Sequence, residues 1–118
     1  MIRRHDGNYC EERLPMYYIY DSSTETYFSS GFDWNNRGAK IPDIRELKKR
    51  LRVIAERNEE SSRPKGWETV PHKYADLPAS RFIPSSLVIV DSCKQPIVLA
   101  RDIAQHLVIQ ARQPQSTN

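Results

Sequence analysis

The sequence predicts an α+β fold, a small antiparallel sheet with two helices packed on one face, in the order β-β-α-β-β-α. Two aromatic runs around a short polar turn predict an antiparallel hairpin. Two further segments carry apolar residues at the spacing of a helix face. The unbroken apolar run Leu87-Val88-Ile89-Val90 predicts a central strand buried on both faces. We expect these elements to form one domain over residues 16–113.

The first half of the chain predicts the hairpin and the longer helix. Met16–Tyr20 and Thr26–Phe32 are rich in aromatic residues, which favour strands, and a run of turn formers separates them. A helix is predicted over Ile44–Asn58. Asp43 can cap its N-terminus, and Glu46 three residues later completes the pattern of a capping box.

The second half of the chain predicts shorter elements around the central strand. Trp67–Val70 is predicted to be a short strand. Residues 74–84 contain two prolines and are predicted to be irregular, with Phe82 and Ile83 in the core. A second helix is predicted over residues 97–113, because its apolar residues recur at helical spacing.

Both ends of the chain are polar, so we expect a mobile arm over residues 1–15 and a disordered tail over residues 114–118. The sequence shows neither a signal-peptide pattern nor an apolar run long enough for a membrane span. We therefore expect a cytoplasmic protein without a membrane partner. In a reducing cytoplasm, Cys10 and Cys93 are expected to remain thiols and not to form a disulfide.

Motifs for catalysis, metals and cofactors are missing from the sequence. His5, His72 and His106 lie in three separate segments, without the paired spacing of zinc ligands. Asp102 and His106 are four residues apart and are interpreted as solvated neighbours on the last predicted helix. With only 4 glycines, the chain offers no phosphate-binding loop. We expect no metal, no cofactor and no enzymatic activity.

Cys93 is the candidate nucleophile of the chain. It follows the predicted central strand beside Lys94, in a setting that can lower a thiol pKa. A nucleophile also needs a positioned base, and no motif supplies one. A small enzyme that uses Cys93 is therefore a third hypothesis, behind the simpler interpretation of a half-buried structural side chain.

The first predicted helix carries a dense run of positive charge, although the whole chain has a net charge of only +3. Five cations stand within eight residues, namely Arg45, Lys48, Lys49, Arg50 and Arg52. Lys40 precedes them. This charge predicts contact with an acidic protein surface or with the phosphates of a nucleic acid. The simpler interpretation is a solvated helix face, because Glu46 and Glu56 dilute the field.

The predicted hairpin is the second feature that could face a partner. Side chains alternate across a strand, so its aromatic residues cannot all enter one small core. We expect one face to present tyrosines to solvent, as interface anchors or stacking platforms. The contact residues predicted there are Tyr18, Tyr20, Tyr27 and Trp34. A tyrosine-rich outer face without a partner is the simpler alternative.

Residues 17–55 resemble the opening of small uncharacterised proteins from bacteriophages and mobile elements. The resemblance rests on Tyr18-Ile19-Tyr20-Asp21, on Tyr27-Phe28-Ser29-Ser30-Gly31-Phe32 with Trp34, and on Ala39-Lys40-Ile41 before the basic helix. It implies an accessory protein that binds and blocks a host protein, and it assigns no functional residue.

The sequence thus favours a non-enzymatic protein-binding module of the phage accessory type, which inhibits a host protein. The predicted contact surface combines hairpin and helix, and its residues are Tyr18, Tyr20, Tyr27, Trp34, Lys40, Arg45, Lys48, Lys49 and Arg52. An acidic protein surface is the expected partner. The alternative is a nucleic-acid-binding protein that contacts phosphates through residues 45–57.

Overall fold

The computed structural model describes residues 16–29 and 33–114. The predicted arm over 1–15, the end of the second predicted strand at 30–32 and residues 115–118 lie outside the described residues. The fold is α+β, as predicted, and it contains a five-stranded antiparallel sheet, a two-stranded antiparallel sheet and two α-helices.

The elements follow one another closely along the chain. The strands are β1 Tyr17–Asp21, β2 Thr26–Phe28, β3 Trp34–Asn35, β4 His72–Pro78, β5 Leu87–Asp91, β6 Pro96–Leu99 and β7 Val108–Pro114. The α-helices are α1 Ile44–Ser61 and α2 Ala100–Ala104, and two short 3₁₀ helices cover Trp67–Thr69 and Ala79–Phe82.

The larger sheet has the order β3-β2-β1-β5-β6. The predicted hairpin forms, with Tyr20 opposite Tyr27. The apolar run predicted as a central strand is β5, which pairs with β1 on one side and with β6 on the other. Ile19 of β1 lies opposite Ile89 of β5, and both are almost completely buried. The hairpin and the central strand therefore build one continuous sheet around this pair.

Helix α1 confirms the first predicted helix and runs three residues further, to Ser61. Asp43 caps it as predicted, because its Oδ1 accepts a hydrogen bond from the backbone N–H of Glu46 at 2.8 Å. The Glu46 carboxylate accepts from Arg50 Nε at 3.0 Å. The buried side of α1 carries Leu47, Leu51, Ile54 and Ala55.

The core lies between α1 and one face of the larger sheet, which we call the inner face. Ile19, Phe28 and Ile89 supply this face, and they belong to the same buried cluster as Leu47 and Leu51. Ala100 and Ala104 of α2 enter that cluster as well. Both helices therefore pack on one face of the sheet, and the opposite face, the outer face, is left without a helix among the described residues.

The prediction of a long second helix over residues 97–113 was wrong. The segment divides into strand β6, the one-and-a-half-turn helix α2 and strand β7. In β7, Ile109 and Ala111 are buried, whereas Val108 and Gln110 are exposed. Burial there has the period of two that belongs to a strand. Apolar spacing alone did not distinguish this from a helix, and the β-branched residues at both ends favour strands.

Two further predictions in the second half need correction. Trp67–Thr69 forms a 3₁₀ helix in place of a strand, and Trp67 is buried. The segment predicted to be irregular contains β4, which pairs along its whole length with β7. Pro78 ends β4, at a position where the missing N–H does not interrupt the ladder. Ile83 is buried and Phe82 packs against the core, so the prediction that they enter the core is confirmed.

Candidate functional site

Three tyrosines meet on the outer face of the sheet. Tyr18 and Tyr20 alternate with the core residue Ile19, and Tyr27 lies opposite Tyr20 on the neighbouring strand. The rings of Tyr20 and Tyr27 are 4.8 Å apart between centroids, and those of Tyr18 and Tyr27 are 5.8 Å apart in an edge-to-face arrangement. Such geometries are favourable between aromatic rings. The tyrosines therefore form one packed cluster.

The cluster carries a cation that sequence patterns did not single out as a contact residue. Lys94 Nζ lies 4.4 Å from the ring centroid of Tyr27 and 5.0 Å from that of Tyr18. Lys94 has a left-handed backbone with φ of 63°, and the N–H groups of Cys93 and Gln95 on either side of it donate to the Asp91 carboxylate. A non-glycine residue in this conformation is strained, so the turn holds Lys94 at a cost.

The tyrosines differ in their access to solvent. Tyr18 is only 7% exposed, and a Cβ added at Gly38 would lie 3.2 Å from its ring. Tyr20 and Tyr27 are half-buried. Burial, followed by the proximity of Tyr20 and Tyr18, raises the pKa of the Tyr27 phenol. Of the predicted tyrosines, Tyr20 and Tyr27 are thus the ones that a partner can reach.

Apolar side chains extend the cluster across the outer face. Val88 lies opposite both Tyr20 and Leu99 in the ladder. Val98 lies opposite Ile89 and packs against the core, so Leu99 after it points outward. Ile97 before it lies at an irregularity of the ladder between the pairs Ile89–Val98 and Val90–Pro96, where the alternation of side chains is interrupted. Ile97 is 52% exposed and Leu99 42% exposed. The predicted helix over 97–113 concealed these two residues, although the strand-forming run Ile97-Val98 was the signal that could have revealed them.

Trp34 does not join the outer face. Its ring packs edge-to-face against Phe28 at 5.3 Å, and it contacts the core cluster from the inner face. Together with Ile54 and Arg57 of α1, these two aromatic residues line a cavity of about 270 Å³.

The cations of α1 lie on the other side of the molecule. Arg45, Lys49 and Arg52 are exposed, and Lys48 is half-buried. Lys40 is exposed on the loop that leads to the helix. Arg50 is held by its ion pair with Glu46, which removes it from the exposed row.

The structure therefore divides the predicted contact surface. The helix packs on the inner face, whereas the tyrosines lie on the outer face, so one partner surface cannot cover both without wrapping around the sheet. We name the exposed residues Arg45, Lys49 and Arg52 the basic row, and we treat it separately from the outer face.

Cys93 is disulfide-bonded, contrary to the prediction of a free thiol. The other cysteine of the chain, Cys10, lies outside the described residues. A disulfide sulfur is not a thiolate nucleophile, so the hypothesis of catalysis by Cys93 has no support in this state. Helix α2 ends at Ala104, so Asp102 and His106 do not share the helix face that was predicted for them.

The described residues contain no candidate metal site and no candidate membrane span. Among them, no group of three or more His, Cys, Asp or Glu side chains could hold a metal ion. No helix in this part of the chain is long and apolar enough to cross a membrane.

The outer face and the basic row are thus the two surfaces that the geometry leaves as candidates. Comparison of the chain with protein-family models, with curated proteins and with solved structures found no match.

Proposed function

We propose that the protein is a non-enzymatic protein-binding module and that the outer face of its larger sheet is the contact surface. The observation that supports this proposal is a group of partly exposed aromatic and apolar side chains on that face, Tyr20, Tyr27, Val88 and Leu99, with Ile97 exposed beside them on the edge strand β6. Exposed apolar patches of this kind mark interaction surfaces, and tyrosines are frequent anchors in them.

The strained turn at Lys94 supports the same surface. Glycine would adopt its left-handed backbone without strain, but glycine has no ammonium group to place over the tyrosine rings. A partner that presents apolar side chains with a carboxylate near Lys94 fits this face. Blocking a host protein, as the resemblance to bacteriophage proteins implies, is the role that we propose for the contact.

Affinity capture from bacterial lysate tests the proposal with matched variants. Ile97→Ser combined with Leu99→Ser removes the two exposed large apolar groups of β6, at the edge of the outer face, without opening the core. Val108→Ser removes an equally exposed apolar group, 59% exposed, from the smaller sheet. We expect a protein that is retained by the wild type and by Val108→Ser, resists nuclease treatment and is lost from the double variant.

Two results would contradict this proposal. Capture that survives in the double variant would place the contact elsewhere. Self-association of the wild type that the double variant abolishes, measured by sedimentation velocity, would assign the outer face to a second copy of the chain.

A nucleic-acid-binding protein is the second candidate, and the basic row favours it. Arg45, Lys49 and Arg52 are three exposed cations spaced along one side of α1. Arg45 lies in the first turn, where the helix dipole disfavours positive charge.

Salt dependence separates this candidate from the first. If the basic row contacts phosphates, the logarithm of the affinity for duplex DNA falls linearly with the logarithm of salt concentration, by about 0.9 for each phosphate neutralised. Replacing all three residues by Gln should reduce that slope, whereas Lys65→Gln, in an exposed loop, should leave it unchanged. Two results would contradict this candidate. One is a wild-type protein that does not bind duplex DNA, and the other is an equal salt slope in the triple Gln variant and in Lys65→Gln.

A further inference from the structure

A second cavity, of about 190 Å³, opens at the C-terminal end of α1. The end of α1, both 3₁₀ helices and the paired strands β4 and β7 contribute its walls. Sequence patterns did not indicate it, because its residues come from three separate stretches of the chain and the wrong prediction of a helix over 97–113 hid the pairing of β7 with β4.

One wall is built around a buried ion pair. Glu59 is 5% exposed, and its carboxylate accepts two hydrogen bonds from Arg63, one of them from Nε at 3.0 Å. This bidentate contact holds the guanidinium of Arg63 over Trp67, with Cζ at 4.1 Å from the ring centroid. The contact with Glu59 also raises the pKa of Arg63, so this residue stays charged.

Two further guanidinium groups line the cavity without a carboxylate of their own. Arg112 lies 5.1 Å from the Trp67 ring centroid, and Arg81 lies 5.7 Å from that of Phe82. In the part of the chain that the structure describes, neither of these arginines has an ion-pair partner. An arginine stacked on a ring keeps its N–H groups free at the edges for an anion.

The charge of the lining decides which anion fits. Three guanidinium groups, on Arg63, Arg81 and Arg112, face one carboxylate, on Glu59, which leaves a net charge of +2. A phosphate monoester carries close to two negative charges at neutral pH, whereas a carboxylate carries one. Guanidinium forks bind phosphate oxygens in pairs.

The volume of the cavity and its apolar walls limit the organic group of a bound phosphate ester. The cavity is smaller than the roughly 300 Å³ at which drug-sized pockets begin. Phe82 and Leu77 give it apolar surface beside the arginines. We propose that this cavity is a binding site for a small phosphate monoester whose organic part is a single ring or a short apolar group.

Isothermal titration of the full chain with phenyl phosphate tests the site, with benzoate as the matched monoanion. We expect phenyl phosphate to bind at least tenfold more tightly than benzoate. Arg81→Gln combined with Arg112→Gln should weaken phenyl phosphate at least tenfold. Arg37→Gln combined with Lys40→Gln removes the same charge from the exposed loop before α1 and should change the affinity less than twofold.

An NMR titration of the wild-type protein tests the same site without relying on the arginine variants, which could be misfolded. The indole N–H signal of Trp67, assigned by its persistence in Trp34→Phe, should shift with phenyl phosphate. No shift at millimolar ligand, equal binding of benzoate, or equal weakening in the two double variants would overturn the proposal.

Discussion

Gly38 sits where the loop after β3 passes over the tyrosine cluster. Its φ is +74°, in the left-handed region, and a Cβ at this position would lie 2.5 Å from Tyr27 Cβ. Two separate requirements, conformational freedom and close approach, therefore fall on the same residue. The side chain that would have to yield belongs to the central ring of the cluster.

Gly38→Ala is predicted to lower the free energy of unfolding by more than about 2 kcal/mol, as left-handed strain adds to overpacking. Gly66→Ala is the control, because Gly66 has a φ of +82° and no atom within 4 Å of the added Cβ. It should cost about 1 kcal/mol from strain alone. Urea denaturation measures both, and equal losses would show that the contact with Tyr27 is not restrictive.

Asp21, at the end of β1, makes the free energy of unfolding depend on pH in the acid range. Burial disfavours ionisation of its carboxyl, but hydrogen bonds from Ser23 and other hydroxyl-bearing neighbours outweigh burial and lower its pKa. Ser23 N–H and Oγ both donate to Oδ1, at 2.9 and 2.7 Å. The ionised form is therefore favoured more in the folded chain than in the unfolded chain.

A lowered pKa in the folded state gives stability that is present above the unfolded pKa, near 3.9, and is lost as pH falls through the folded pKa. Asp21→Asn should lower the free energy of unfolding at pH 7 and flatten its decline below about pH 4. Asp76→Asn, in an exposed position on β4, is the control. A decline that stays equally steep in Asp21→Asn would contradict the assignment.

Helix α1 shows a conflict between its charges and its dipole. Arg45 lies in the first turn, and the last turn contains Glu59 and Glu60 but no basic residue. The helix dipole favours the opposite order. Asp43 and Glu46 compensate only at the cap itself. Helix stability therefore does not explain the placement of Arg45.

Arg45→Glu is predicted to stabilise the protein by about 0.3–1 kcal/mol at low salt, since it puts a carboxylate near the positive end of the dipole. Arg52→Glu, at the centre of the helix and one turn before Glu56, should bring no gain. Denaturation at low and high salt checks both variants. A gain that persists unchanged in high salt would not be electrostatic.

Among the elements, α1 and β5 could be predicted from the sequence because their signals are local. Asp43 and a long apolar stripe define the helix, and four consecutive apolar residues define the strand. The second half lacked such signals. Ile97, Ile109 and their neighbours satisfy helical and strand periods alike over short distances, and pairing with β5 and β4 decided between them.

At the scale of the whole molecule, the candidate site was likewise predictable from the sequence only where its signals are local. Alternation along the hairpin predicted that one face presents tyrosines, and the structure places Tyr20 and Tyr27, both half-buried, on the outer face. The sequence could not predict that Ile97, Leu99 and Lys94 belong to the same surface. Their proximity to the tyrosines depends on the pairing of β5 with β1 and β6. Nor could the sequence separate the outer face from the basic row, since that depends on which face α1 covers.

The two sheets should differ in their resistance to opening. Strands β1 and β5 have a neighbour on each side, whereas β4 and β7 pair only with each other among the described residues. We predict that amide hydrogens of Ile19 and Ile89 exchange more slowly than those of Ala75 and Ala111. Hydrogen exchange followed by NMR measures this, and equal protection would mean that another chain or segment covers the smaller sheet.

The pairing of β1 with β5 has a consequence for how the protein is made. Ile19 of β1 pairs with Ile89 of β5, which lies 70 positions later in the chain. Strand β1 therefore gains its second neighbour only after β5 has been synthesised. A chain emerging from the ribosome presents its N-terminal part first. Until β5 is synthesised, the hairpin exposes one unpaired edge together with Ile19 and Phe28, which later enter the core. Until β5 is made, we therefore expect the nascent hairpin to be prone to edge-to-edge pairing with other chains.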